Sequence, residues 1–195
     1  MKTVLLIDGG HVRALAKKAG RPLYPDYIEL LAHACFAPEE HCHRILFYDC
    51  APFQGTARRP ISGTVIEFSG SDEWLRTLAA KPLFAVRRGV LKFRGFKPVR
   101  IPLDGEVLSD ADFRPDFEQK GVDVRIGLDI ANVAATGVVE RIILLSGDTD
   151  CVPAMKHART HGLQVILASL ANQRVADELL WHADFDRRIE WPGEA

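Results

Sequence analysis

The chain has 195 residues, 47% hydrophobic and 26% charged, with a formal net charge of −1. That length allows a sizeable core, and the composition is that of an ordinary globular protein rather than a disordered or fibrous one. So even a charge balance excludes binding to a polyanion by bulk charge, and any nucleic-acid surface has to be a local patch.

The first element starts almost at once. Thr3–Ile7 is a short apolar run closed by Asp8-Gly9-Gly10 and reads as a buried strand entering a turn. Only five residues separate Lys2 from Asp8, too few for the apolar core of a signal peptide. His11–Lys18 predicts a helix ended by Gly20. Pro25–Phe36 sets Tyr27, Ile28, Leu30, Leu31 and Ala34 on a helical period, with Pro25 in the first turn. Arg44–Tyr48 is a second buried strand, ended by Asp49.

Residues 51–118 are proline-rich and weakly periodic, and predict an irregular insertion. Within it Asp72–Ala80 suits a helix, Leu83–Val99 a β-hairpin turning near Gly89 or Gly95, and Asp104–Phe117 a loop. Regularity returns with a helix over Val122–Ala135, ended by Gly137, and a strand over Arg141–Leu145. Cys151–Thr160 predicts a helix with Asp150 at its N-cap and Gly162 past its end. Leu163–Leu167 is a strand, Asn172–Trp181 a helix and Phe185–Ile189 a last short strand. No run approaches the roughly 18 apolar residues of a membrane span.

Apolar strands alternating with helices imply an α/β fold. The expected architecture is a central, mostly parallel sheet of four to six strands with helices on both faces. It forms one unit over residues 1–195, with the insertion after the second strand at about 51–118. Ligands of such sheets sit beyond the carboxyl ends of the strands. Two strands end there in acid: Thr3–Ile7 in Asp8, and Ile142–Leu145 in Ser146-Gly147-Asp148-Thr149-Asp150. As neighbours they would bring three carboxylates to one crevice, and Asp123, opening the helix 122–135, could join them. Asp129 lies six residues further, about 600° round the helix, well away from the face of Asp123. Clustered carboxylates suit a hard cation such as Mg²⁺ or Mn²⁺, whose charge removes their mutual repulsion. Each acid also has a plainer role, as turn residue, N-cap or solvated helix residue.

Three segments carry a resemblance: "VLLIDGGH", "KGVDVRIGLDIANVA" and "RIILLSGDTDCVPAMKHARTHGLQVIL", followed by "ELLWHADFDRRI". In this order and spacing they resemble the NYN family, a branch of the PIN-like nucleases, over roughly residues 2–50 and 119–190. The resemblance implies a PIN-like fold and a metal-dependent endoribonuclease site. By matching position, Asp8, Asp123, Asp148 and Asp150 would be the Mg²⁺ or Mn²⁺ ligands and carry the chemistry. Asp129 also matches a family acid, Ser146 would hydrogen-bond within the site, and Lys120 would sit near the phosphates. His11 stands where the family often has Asn; a histidine there could donate to a phosphate, orient water or bind metal.

From Lys81 to Arg100 there are seven Lys or Arg and no acid. Arg87, Arg88, Lys92, Arg94 and Lys97, interleaved with Phe93 and Phe96, could meet RNA phosphates and stack on unpaired bases. The plainer alternative is an amphipathic strand, Leu91 and Phe93 inward, Lys92 and Arg94 in solvent. Cys35, His41, Cys42 and His43 match no common zinc spacing. With four cysteines and no CxxC pair, reduced thiols and a cytoplasmic setting are expected. The leading expectation is an RNA-cleaving enzyme acting on single-stranded or structured RNA, with a homodimer left open. One alternative is a non-catalytic RNA-binding or scaffold protein of the same fold, which His11 favours. The other is a haloacid-dehalogenase-type phosphatase; it needs an acid two residues after Asp8, where this chain has Gly10.

Overall fold

The computed structural model describes residues 1–102, 107–171 and 173–193. Its centre is a seven-stranded sheet built from β1 (Lys2–Asp8), β2 (His41–Cys50), β5 (Phe84–Pro98), β6 (Phe113–Lys120), β7 (Arg141–Leu145), β8 (Gln164–Leu170) and β9 (Phe185–Ile189). The order is β6-β5-β2-β1-β7-β8-β9, all parallel except β6, which runs against β5. The unbroken apolar runs follow from burial on both faces. Val4, Leu6, Leu46, Ile142, Leu144, Val165 and Leu167 point to one core. Helices α4 (Val122–Thr136), α5 (Val152–Thr160) and α6 (Asp177–Trp181) cover it. Leu5, Ile7, Ile45, Phe47, Ile143, Leu145 and Ile166 point the other way, to α1 (Gly9–Ala19), α2 (Pro25–Ala34) and α3 (Glu73–Ala79). Each fully buried aliphatic side chain contributes about 1.5–3 kcal/mol, and the period-2 alternation fixes the register of every strand.

The sheet has seven strands rather than four to six, because the stretch read as an irregular insertion supplies two of them. β5 pairs parallel with β2 from Ile45↔Phe84 to Cys50↔Gly89, then continues past the sheet and pairs antiparallel with β6. Leu83–Val99 is therefore one long strand and not a hairpin: its partner lies beyond the following loop, and neither Gly89 nor Gly95 turns the chain. The loop read over Asp104–Phe117 gives way to β6 at Phe113; residues 103–106 lie outside the described residues. A separate antiparallel pair, β3 (Gln54–Arg58) and β4 (Val65–Ser69), packs on this arm through phenylalanines. Phe53, Phe68, Phe93 and Phe117 interlock with ring centroids 5.5–5.8 Å apart, and Phe96 sits edge-on to Phe93.

Two helix boundaries also differ. The helix expected from Asn172 begins only at Asp177, because the Gln173 side chain takes the Leu170 N–H and holds a turn; Asn172 itself lies outside the described residues. The helix after β7 is preceded by a 3₁₀ turn, Thr149–Cys151, capped by Asp148 rather than Asp150. Among the described residues no helix is long and apolar enough to cross a membrane. The four cysteines are unpaired.

At the amino edge of the sheet Glu40 is buried between two arginines. It receives hydrogen bonds from Arg141 Nη1 at 2.6 Å and from both Nη atoms of Arg187 at 2.7 and 2.9 Å. Burial alone would raise its carboxyl; the bonds from Arg187, the Ala37 N–H and Arg141 outweigh it and hold the group at about 2, below its ordinary 4.5. A carboxyl depressed in the fold stabilises it above the ordinary value, and that contribution is lost as the pH falls from there towards 2. Glu40→Gln should cost roughly 3–5 kcal/mol at neutral pH, since it leaves two arginines uncompensated. Urea unfolding should show this loss shrinking as the pH is lowered below 4.5.

Candidate functional site

Because β1 and β7 are parallel neighbours, their carboxyl ends open side by side. Alternation then decides which way the next residues face. Leu6 and Leu144 point to the α4–α5 core, so Asp8 and Ser146, two residues on, emerge on that same face. Asp8 is 8% exposed and caps α1, its Oδ1 accepting the His11 N–H at 3.0 Å. Its Oδ2 accepts from the Ser146 hydroxyl at 3.1 Å, and that hydroxyl in turn accepts the Asp148 N–H at 3.2 Å. Asp148 Oδ1 accepts the Asp150 N–H at 2.9 Å. Side chain and backbone thus hold the acidic loop in one chain of bonds starting at β1.

Asp123 reaches this loop from the first turn of α4. Asp123, Asp148 and Asp150 each offer a carboxylate oxygen, all within 4.8 Å of one another. Asp8 stands outside that trio but lines the same 480 Å³ crevice, with His11, Gln119, Asp123 and Asp148. Burial raises the Asp123 carboxyl, and the negative charges of Asp148, Asp8 and Asp150 push it further the same way. Burial and the neighbouring acids also push the Cys151 thiol up to about 12, so it stays protonated and inert.

Two glycines let the walls close. A Cβ on Gly147 would lie 2.5 Å from His11 Cε1, so only glycine lets the imidazole lie against the loop. A Cβ on Gly10 would lie 2.5 Å from Gln119 Oε1. The His11 ring is set by this contact, and its Nε2 is buried without a hydrogen-bond partner among the described residues.

Asp129 is not in the crevice. It accepts from the Tyr48 hydroxyl at 2.9 Å and from Arg87 Nε at 2.8 Å, on another side of α4. The basic stretch is largely paired: Arg87 with Asp129, Arg88 with Asp72 at 2.7 Å, Arg94 with Glu118 at 2.9 Å, and Lys97 with Asp116. Of the five, Lys92 alone makes no ion pair among the described residues. Phe93 stacks on Phe53, and Phe96 stands edge-on to Phe93. Lys120, exposed at the end of β6, pairs with Glu118.

Sequence reasoning passed over Gln119 and Asp49. Gln119 is neutral and carries no spacing signal. Asp49 was read only as the end of a strand, yet it is 1% exposed. Alternation turns it to the α1 face, where it pairs with Arg13, whose guanidinium also lies 5.1 Å over the Trp74 ring. Burial raises the Asp49 carboxyl, and Arg13 opposes that rise.

The model of the NYN domain matches residues 78–186, over half of the chain. The chain belongs to the NYN domain family, a PIN-like ribonuclease family. The matched span holds Lys120, Asp123, Ser146, Asp148 and Asp150; β1, with Asp8, precedes it. The crystal structure of a protein of unknown function from Vibrio parahaemolyticus is similar, with a TM-score of 0.55 and 21% identity. The similarity covers 96% of this chain and 92% of that one, and is one of fold. No curated protein matches the sequence.

A carboxyl raised in the fold costs stability once ionised, most fully above its folded value. Asp123→Asn should therefore raise the melting temperature in EDTA near neutral pH. The gain should shrink as the pH falls into the carboxylate range; a lower melting temperature at neutral pH would contradict the repulsion described for this trio.

Proposed function

We propose that the protein is a metal-dependent endoribonuclease that hydrolyses RNA phosphodiester bonds at this crevice. The observation that supports it most is the meeting of Asp123, Asp148 and Asp150 within 4.8 Å on a chain of the NYN family. The donor set is all carboxylate oxygen, the chemistry of a hard divalent ion, and a trio that raises its own member's carboxyl calls for positive charge. Mg²⁺ or Mn²⁺ fits, held by Asp123, Asp148 and Asp150 with Asp8 across the crevice. Bound there, such an ion supplies charge against the phosphate oxygens and a water of lowered pKa.

The chain's own groups position the rest. The Ser146 hydroxyl, donating to Asp8 and accepting from the Asp148 N–H, keeps the two strand ends in register. The α1 N-terminus anchors the Asp8 side chain through the His11 N–H. Gln119 offers a neutral amide on the crevice wall, and the exposed Lys120 stands beside it, just ahead of the helix that carries Asp123. Four free cysteines suit a reduced, cytoplasmic setting.

One observation favours a second reading, an RNA-binding protein that does not cut. The His11 ring fills the wall against Gly147, and its buried Nε2 has no partner among the described residues. A cleavage assay on single-stranded and structured RNA separates the two. The ribonuclease reading expects cleavage with Mg²⁺ or Mn²⁺, none in EDTA, and a loss of about a hundredfold or more in Asp148→Asn. RNA binding without metal-dependent cleavage favours the second reading, and undiminished cleavage by Asp148→Asn overturns the role given to that acid.

A further inference from the structure

A second cavity, at the far end of α1, has a different chemistry. It measures 290 Å³ and is lined by Leu15, Lys18, Arg21, Ala171, Gln173 and Trp191 among others. Two of its lining residues are cations and none is an acid. The acidic crevice, the groove along α4 and the hollows beside Asp184 and Trp74 each include a carboxylate. Neither Lys18 nor Arg21 has an acid partner among the described residues. A cation in the last turn of α1 answers the helix dipole, but Lys17 also does so without lining the cavity.

Gln173 gives the independent observation. It is 8% exposed, and its Oε1 accepts the Leu170 N–H at 3.1 Å. That bond leaves the amide NH₂ to serve as a donor at the cavity wall. Trp191 packs on the core and also lines the cavity, and an indole face stacks on any base. Two cations for a phosphate, an indole for a base and an amide donor for an oxygen describe a nucleotide.

We propose that this cavity is a nucleotide subsite for single-stranded RNA, with a base against Trp191 and a phosphate at Lys18 and Arg21. The proposal rests on the ribonuclease reading above. Ala171 and Gln173 directly follow β8, whose carboxyl end shares the edge of the sheet with those of β1 and β7. Lys18 lies ten residues, about 15 Å, along α1 from Asp8. A strand with its scissile phosphate at the acids reaches the cavity a few nucleotides away.

The test is RNA affinity by fluorescence anisotropy, in the Asp148→Asn protein to prevent cleavage, against salt concentration and RNA length. Adding Lys18→Gln and Arg21→Gln should weaken binding of a twelve-nucleotide single strand roughly fivefold to twentyfold. It should also flatten the logarithmic salt slope by about 0.7, the value for one single-strand phosphate. Lys17→Gln, a cation of the same helix turn outside the cavity, should have little effect. Unchanged affinity and slope for that strand overturn the proposal, as does a Lys17→Gln loss matching the double variant. Quenching of the Trp191 signal by a free nucleoside monophosphate, identified by its loss in Trp191→Phe, with RNA affinity untouched by the double variant, overturns the RNA assignment in favour of a free nucleotide. If the Asp148→Asn protein binds no RNA of any length, the ribonuclease reading fails and this subsite falls with it.

Discussion

Mutual repulsion among carboxylates at the carboxyl edge of the sheet is the force the crevice has to contain. Left free, Asp8, Asp123, Asp148 and Asp150 would turn outward into water. Two of the four carboxylates are instead tied to backbone or side-chain donors. Asp8 is held by the His11 N–H and Ser146, and Asp148 by the Asp150 N–H. Such charge-assisted bonds are strong enough to hold the acids in place. The crowding shows on Asp123, whose carboxyl is raised by burial and by the other three acids.

Rigidity behind the crevice comes from the sheet. Asp8 and Ser146 meet because β1 and β7 are in register over five buried pairs, so a slip of one residue would send one of them to the opposite face. The same alternation sends Asp49 to the α1 side, although it ends the strand beside β1. Neighbouring strands thus present acids to two different environments, one a crevice and one an ion pair with Arg13.

The inner strands of the central sheet were legible because burial on both faces leaves apolar runs, and Arg141–Leu145 has the limits read from sequence, as has the mostly exposed edge strand Phe185–Ile189. The acids after β1 and β7 were legible for the same reason, since each directly follows such a run. The arm was not. Phe93 makes sense only beside Phe53, Phe68 and Phe117, and those partners lie far apart in the chain. Likewise Arg87, Arg88, Arg94 and Lys97 form an acid-free run in sequence, while their acids come from α3, α4 and β6. A local charge pattern cannot reveal neutralisation supplied over long range. Asp129 could be separated from Asp123 by counting round the helix; its partners Tyr48 and Arg87 could not be counted.

A crystal structure of the protein soaked in Mn²⁺, with the ion located by its anomalous scattering, tests the central claim most directly. The account predicts an anomalous peak bound by Asp123, Asp148 and Asp150, with Asp8 facing it across the crevice. A crevice without a peak at Mn²⁺ concentrations that occupy other carboxylates on the surface would contradict it.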